Sequence, residues 1–182
     1  LERIEEREVA LTGAGRTDAG VHALGQTASV RLRCVLDDRT LVRALNAMLP
    51  GDIRVLDAEP ADPDFHARYA ARSKTYRYRI LSGGLSSPFE RRYAWHIPQA
   101  LDYPAMRDTT VLLRGRHDFA AFQASGSSAA TTERTIFRCE LDRLRADASA
   151  PGDGARTNAS LIAFKITGDG FLRHMVRAIV GT

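Results

Sequence analysis

Asp18 has the surroundings of a chemical site. It closes the triplet Arg16-Thr17-Asp18, which Gly13, Gly15 and Gly20 surround in the run GAGRTDAGVHALGQ, residues 13–26. Glycine lets the backbone take positive φ and lets a ligand lie against the chain. A lone carboxylate in such a loop can act as nucleophile or base, with the Arg16 guanidinium two residues away. The alternative is a turn aspartate that hydrogen-bonds its own loop, the common fate of Asp beside Gly. The run by itself fits both.

Phosphate cradles do not fit it. Gly15 and Gly20 have the separation of a Walker loop, but Val21-His22 stand where Lys and Ser or Thr belong. Gly13 and Gly15 begin a dinucleotide fingerprint, yet Asp18 occupies the third glycine's place and would repel a pyrophosphate. His22, His66, His96, His117 and His174 are scattered, with no HExxH and no i,i+4 pair, so no metal site is indicated.

Two more groups could do chemistry. Tyr76 lies in SKTYRYRIL, where Tyr76, Tyr78 and Ile80 alternate with Thr75, Arg77 and Arg79. Arg177 lies in FLRHMVRAIV near the end of the chain. A core aromatic and a surface arginine account for them equally well when they are taken alone.

The elements that must carry these residues follow from periodicity. Residues 1–8 read as a charged helix and Val9–Leu11 as a strand running into the glycine loop. QTASVRLR, residues 26–33, alternates as a half-buried strand. Asp37 or Asp38 caps a helix over TLVRALNAML, which Pro50-Gly51 stops. Ile53–Ala58 reads as a strand, and SKTYRYRIL as another. SGGLSSPFERR is a turn-rich connection. Asp102 caps a helix running to about Leu113, with Pro104 in its first turn. Ile136–Leu144 and Ser160–Thr167 read as paired strands, joined by a loop over 146–158. Phe171, Leu172, Met175, Val176 and Ile179 form an apolar helical stripe. Strands and helices interleave with hairpins, which predicts an α+β fold: a mixed or antiparallel sheet with helices on one face.

Composition permits some partners and demonstrates none. Of the 26 basic residues only Lys74 and Lys165 are lysines, and the formal net charge is +4. Arginine's planar fork matches phosphate oxygens and stacks on bases, which permits a nucleic-acid partner. Cys34 and Cys139 belong to no CxxC pattern and read as reduced thiols of a cytoplasmic protein. No apolar run approaches the length of a membrane span. The chain opens without an initiator methionine and closes on a periodic apolar pattern with no stop, so both ends read as cut.

Four blocks then converge. GRTDAGVHALGQ resembles the active-site motif of the TruA family of tRNA pseudouridine synthases. DFHARYAARSKTYRYRI, GRHDFAAF and GDGFLRHMVRAIVGT are similar to three further blocks of that family, in the same order. The resemblance implies a pseudouridine-synthase sheet of two ferredoxin-like halves, here residues 1–70 with the aspartate loop and 71–182. It places the catalytic aspartate on Asp18, the active-site tyrosine on Tyr76 and the active-site basic residue on Arg177. Arg16 matches the arginine that helps displace the target base.

The implied reaction isomerises uridine to pseudouridine in the anticodon stem-loop of tRNA, positions 38 to 40, with no cofactor or metal. The target base must first leave its stack. Arg177 would favour an ionised Asp18, and Tyr76 would stack on the uracil. Arg72, Lys74, Arg77 and Arg173 are expected RNA-backbone contacts. A homodimer is implied. The sequence departs from the family at its ends, lacking the strand and helix that precede the aspartate block and the tail that follows the last one. The competing class is a non-catalytic RNA-binding sheet, with Tyr76 and Tyr78 as stacking platforms. Asp18 weighs against it, because a carboxylate in an RNA groove hinders binding.

Overall fold

The computed structural model describes residues 1–126, 129–144 and 159–182. The loop expected over 146–158 lies outside them. The chain divides into two compact units, Leu1–Ala71 and Arg72–Thr182.

In the first unit helix α1 (Glu2–Glu5) leads to strands β1 (Leu11–Gly13) and β2 (Ala28–Val30), an antiparallel ribbon pairing Leu11 with Val30 and Gly13 with Ala28. The strand expected at Val9–Leu11 thus lies two residues later, and the one expected over 26–33 shrinks to three residues. Glu5 takes up the chain beyond β2. Its side chain, 1% exposed, accepts the backbone N–H groups of Arg33 and Cys34 at 2.9 and 2.8 Å and pairs with Arg7. Helix α2 (Asp38–Met48) starts where Asp37 accepts the Thr40 N–H at 3.0 Å, as the capping residue predicts.

The strand expected over Ile53–Ala58 does not form. The Asn46 side-chain amide engages both the N–H and the C=O of Val55, each at 2.8 Å. It takes the place of a strand partner at that residue.

The second unit holds a five-stranded sheet in the order β4-β3-β7-β6-β5. Its strands are β3 (Lys74–Ser82), β4 (Trp95–Ile97), β5 (Gly115–Asp118), β6 (Glu133–Leu144) and β7 (Ser160–Gly168). Only β3 and β4 run parallel. Tyr76, Tyr78 and Ile80 face Ile166, Phe164 and Ile162 across the β3–β7 register, so the predicted alternation puts one apolar face on the sheet. Cys139 and Leu141 of β6 extend it. Each buried side chain of this size contributes roughly 1.5–3 kcal/mol.

Helix α3 (Tyr103–Leu112) and helix α4 (Met175–Gly181) bring Met106, Met175, Val176 and Ile179 to that same cluster. The α+β layering with helices on one face is therefore present. Asp102 caps α3 by accepting the Ala105 N–H at 3.1 Å. The β6 edge beyond β5 is covered from α3 and the residues just after it: Tyr103 donates to the Leu141 carbonyl at 2.7 Å, and Arg114 donates to that of Cys139 at 2.9 Å. Otherwise open strand carbonyls are satisfied there, which discourages pairing with another chain. Cys139 is buried, which pushes its thiol up to about 11. Among the described residues no helix is long and apolar enough to cross a membrane.

Candidate active site

The aspartate loop is the connection of the β1–β2 ribbon. Ala14 donates to the Thr27 carbonyl at 2.8 Å, and the Gln26 side chain donates to that of Gly15 at 2.6 Å, which closes the loop at its base. At its tip Val21 donates to the Asp18 carbonyl at 3.1 Å. Gly20, third in that turn, has φ +79°, the value a type II turn requires there. Of Gly13, Gly15 and Gly20 only Gly20 uses positive φ. Every residue from Arg16 to Ala28 is exposed, so the turn presents Arg16 and Asp18 at the surface of this unit.

The second unit carries Arg72, Lys74, Tyr76, Arg173 and Arg177. Arg72 is exposed just before β3, and Lys74 is half-buried at its first position. Tyr76 is half-buried too, and its ring meets Phe171 edge-on with centroids 5.0 Å apart. Tyr78 packs similarly on Trp95 at 6.4 Å.

Arg177 is exposed on α4. With His174, Ala178, Phe122, Gln123 and Ala124 it lines an open depression of about 260 Å³. One wall of that depression is built by the block GRHDFAAF. Asp118 accepts the Ala120 N–H at 2.9 Å and starts a 3₁₀ turn over Ala120–Phe122. Hydrogen bonds from Thr132 and Ala120 hold its carboxyl below the usual aspartate range. His117 contacts the Arg114 carbonyl at 2.7 Å, and Phe119 is buried in the core. This block shapes a wall.

The apolar stripe read from Phe171 as one helix begins as helix only at Met175. His174 before it sits in the left-handed region at φ +58°. For a residue with a Cβ that conformation costs roughly 1–2 kcal/mol and persists only where surrounding contacts impose it. Arg173 supplies contacts next to it. Its carbonyl accepts the Ala124 N–H at 3.1 Å, and its guanidinium donates to the Ser125 carbonyl at 3.0 Å. Periodicity carried no sign of this break, nor of Gln123 and His174 in the depression.

Among the described residues no three His, Cys, Asp or Glu side chains gather where they could hold a metal ion. What the two units offer is a surface carboxylate on a tight turn, a half-buried phenol beside a phenyl ring, and an exposed guanidinium in a shallow depression. Those groups can handle a proton, stack a base and meet an anion.

Comparison with known proteins gives the chain its class. A family model described as tRNA pseudouridine synthase matches residues 1–70 and 110–182. The tRNA pseudouridine synthase A of Moorella thermoacetica is 41% identical over all 182 residues, which cover 68% of its own length. That of Acetivibrio thermocellus is 42% identical over 96% of this chain and 66% of its own. That of Solibacter usitatus is 40% identical over 98% of this chain and 70% of its own. The chain belongs to the tRNA pseudouridine synthase family, a family of isomerases. It spans about two thirds of the length of these relatives. Tyr76 falls between the two segments of the family match, and the likeness to the Moorella protein runs through it.

Proposed function

We propose that the protein isomerises uridine to pseudouridine in the anticodon stem-loop of tRNA, at positions 38 to 40, with Asp18 as the catalytic carboxylate. The observation that carries the reading is Asp18 itself: within a chain of this family, it sits on an exposed, glycine-assisted turn at the tip of a closed loop. A flipped nucleotide can approach such a turn without meeting side chains around Gly20, where nothing lies within 4 Å of a Cβ position.

The reaction breaks the C1′–N1 bond and joins C1′ to C5 of the same uracil. C5 then loses its proton and N1 gains one, so atoms and electrons balance within the substrate and no cofactor is consumed. Asp18 acts at the sugar or the ring as nucleophile or base. Tyr76 stacks on the uracil and serves the proton leaving C5, and Arg177 supplies the cationic group of the catalytic set. Arg16 fills the space the extruded base leaves, an extrusion that costs a few kcal/mol. Arg72 and Lys74 meet the RNA backbone. The protein works as a cytoplasmic homodimer.

The test is pseudouridine formation in an unmodified tRNA anticodon stem-loop by the protein and by its Asp18→Asn variant. Modification by the first, with binding but no modification by the second, is expected. Binding without modification by both, with both folded by circular dichroism, would leave an RNA-binding module in its place.

A further inference from the structure

Arg173 had been expected on the RNA backbone, but its guanidinium is turned onto the protein. It donates to the Ser125 carbonyl at 3.0 Å and to that of Gly126 at 3.4 Å, residues 48 and 47 positions away in sequence. Its own carbonyl accepts the Ala124 N–H at 3.1 Å. The segment 124–126 is thus held by both the main chain and the side chain of one residue.

A second observation stands apart from these bonds. Gly126 has φ +75°, and a Cβ there would lie 2.7 Å from Nη1 of Arg173. A side chain there would push the guanidinium aside, and the positive φ itself disfavours any residue but glycine. On either side of Arg173, Leu172 and Met175 are buried in the core, and Met175 donates to the Leu172 carbonyl at 3.1 Å. Between those anchors the chain makes its left-handed step at His174 and enters α4. Two residues into that helix comes Arg177, facing the depression whose other wall includes Gln123 and Ala124.

We infer that Arg173 is a positioning residue: by clasping 124–126 it fixes the start of α4, and so the direction in which Arg177 is presented to the substrate. This role rests on the proposed pseudouridine synthesis and deepens it. It assigns Arg173 to the rate of conversion and takes it away from RNA affinity. A phosphate contact and a clasp differ in what they demand of the side chain. A lysine serves a phosphate as a flexible point charge, but its Nζ stands one bond nearer the backbone than Nη1, the single nitrogen that meets both carbonyls.

The experiment measures single-turnover conversion at saturating stem-loop RNA, and RNA affinity across salt concentration, for wild type, Arg173→Lys and Gly126→Ala. In Arg173→Lys the conversion rate is expected to fall by on the order of 10-fold to 100-fold, as for a displaced catalytic group. Its affinity and salt slope should stay at wild-type values. Gly126→Ala leaves every charge in place and attacks the same clasp, so it must reproduce the rate loss while still binding RNA.

Wild-type conversion in either variant, with the variant folded by circular dichroism, overturns the proposal. So does an Arg173→Ala variant that converts normally at saturation but whose salt slope is shallower by roughly 0.7–0.9, the mark of one lost phosphate contact. If the wild type binds RNA and forms no pseudouridine, the functional reading fails and this role fails with it. Undiminished conversion by the variants beside an active wild type counts against the clasp alone.

Discussion

Tyr76 carries two separable properties, a ring and a hydroxyl. The ring packs edge-on against Phe171 and joins the cluster that holds the sheet to α4. The hydroxyl is the part that could serve the proton at C5. Tyr76→Phe keeps the packing and removes the hydroxyl, so its thermal midpoint should stay within a few degrees of wild type. Conversion at saturating RNA should fall by about 10²–10⁴-fold, the usual range for a general acid or base. Tyr76→Leu loses the aromatic pair as well and should weaken RNA binding besides. Equal conversion by the Phe and wild-type proteins would leave Tyr76 as a stacking and packing residue only.

At the scale of elements, one carboxylate links separate parts of the first unit. Glu5 ties α1 to the chain leaving β2, and hydrogen bonds from Cys34 and Arg33 hold its pKa down to about 2, against an ordinary value of 4.5. A depressed pKa in the folded state means the stabilisation is fully present above about 4.5 and is lost as pH falls through about 2. Asp37 and Asp118 shift in the same direction, each held by the N–H groups and hydroxyl it caps. Denaturant melts from pH 6 to pH 2 should therefore show stability declining below about pH 4.5. In Glu5→Gln the decline should begin from a lower plateau and be shallower. An unchanged plateau would mean that the Glu5 contacts contribute nothing net.

Much of this layout was legible in sequence where one element carried its own signal. The nine-residue alternation of β3 and the pairing of β6 with β7 declared themselves, as did the capping aspartates Asp37 and Asp102. Strands of three or four residues, β4 and β5, are too short for periodicity to register. Ile53–Ala58 has strand composition but loses its role to the Asn46 side chain. The break before α4 depends on a contact across 48 residues, which no local pattern encodes. The proposed catalytic set has a different source. Asp18, Tyr76 and Arg177 came from motif resemblance, while residue type alone left each with an ordinary structural explanation.

For the whole molecule, the question is how an arginine-rich chain of modest net charge engages RNA. A net charge of +4 spread over 182 residues is too small to dominate binding by itself. Affinity must then come from local contacts, and each phosphate contact releases counterions that make binding salt-dependent. Arg16 and Arg72 are exposed and Lys74 is half-buried at the first position of β3. The proposed roles separate them. Arg72→Ala and Lys74→Ala should each weaken stem-loop binding at low salt and make the slope of log affinity against log salt shallower by roughly 0.7–0.9. The double variant should lose about the sum, because each contact neutralises its own phosphate. Arg16→Ala should differ. If Arg16 occupies the space of the extruded base, removing it should lower conversion more than affinity, and a stem-loop whose target uridine is already mismatched should recover part of the loss, since less unpairing is then required. Fluorescence anisotropy between 50 and 200 mM salt, with conversion measured on paired and mismatched stem-loops, reads both effects. A shallower slope for Arg16→Ala, with no recovery on the mismatched RNA, would move Arg16 to the phosphate contacts and leave base extrusion to another group.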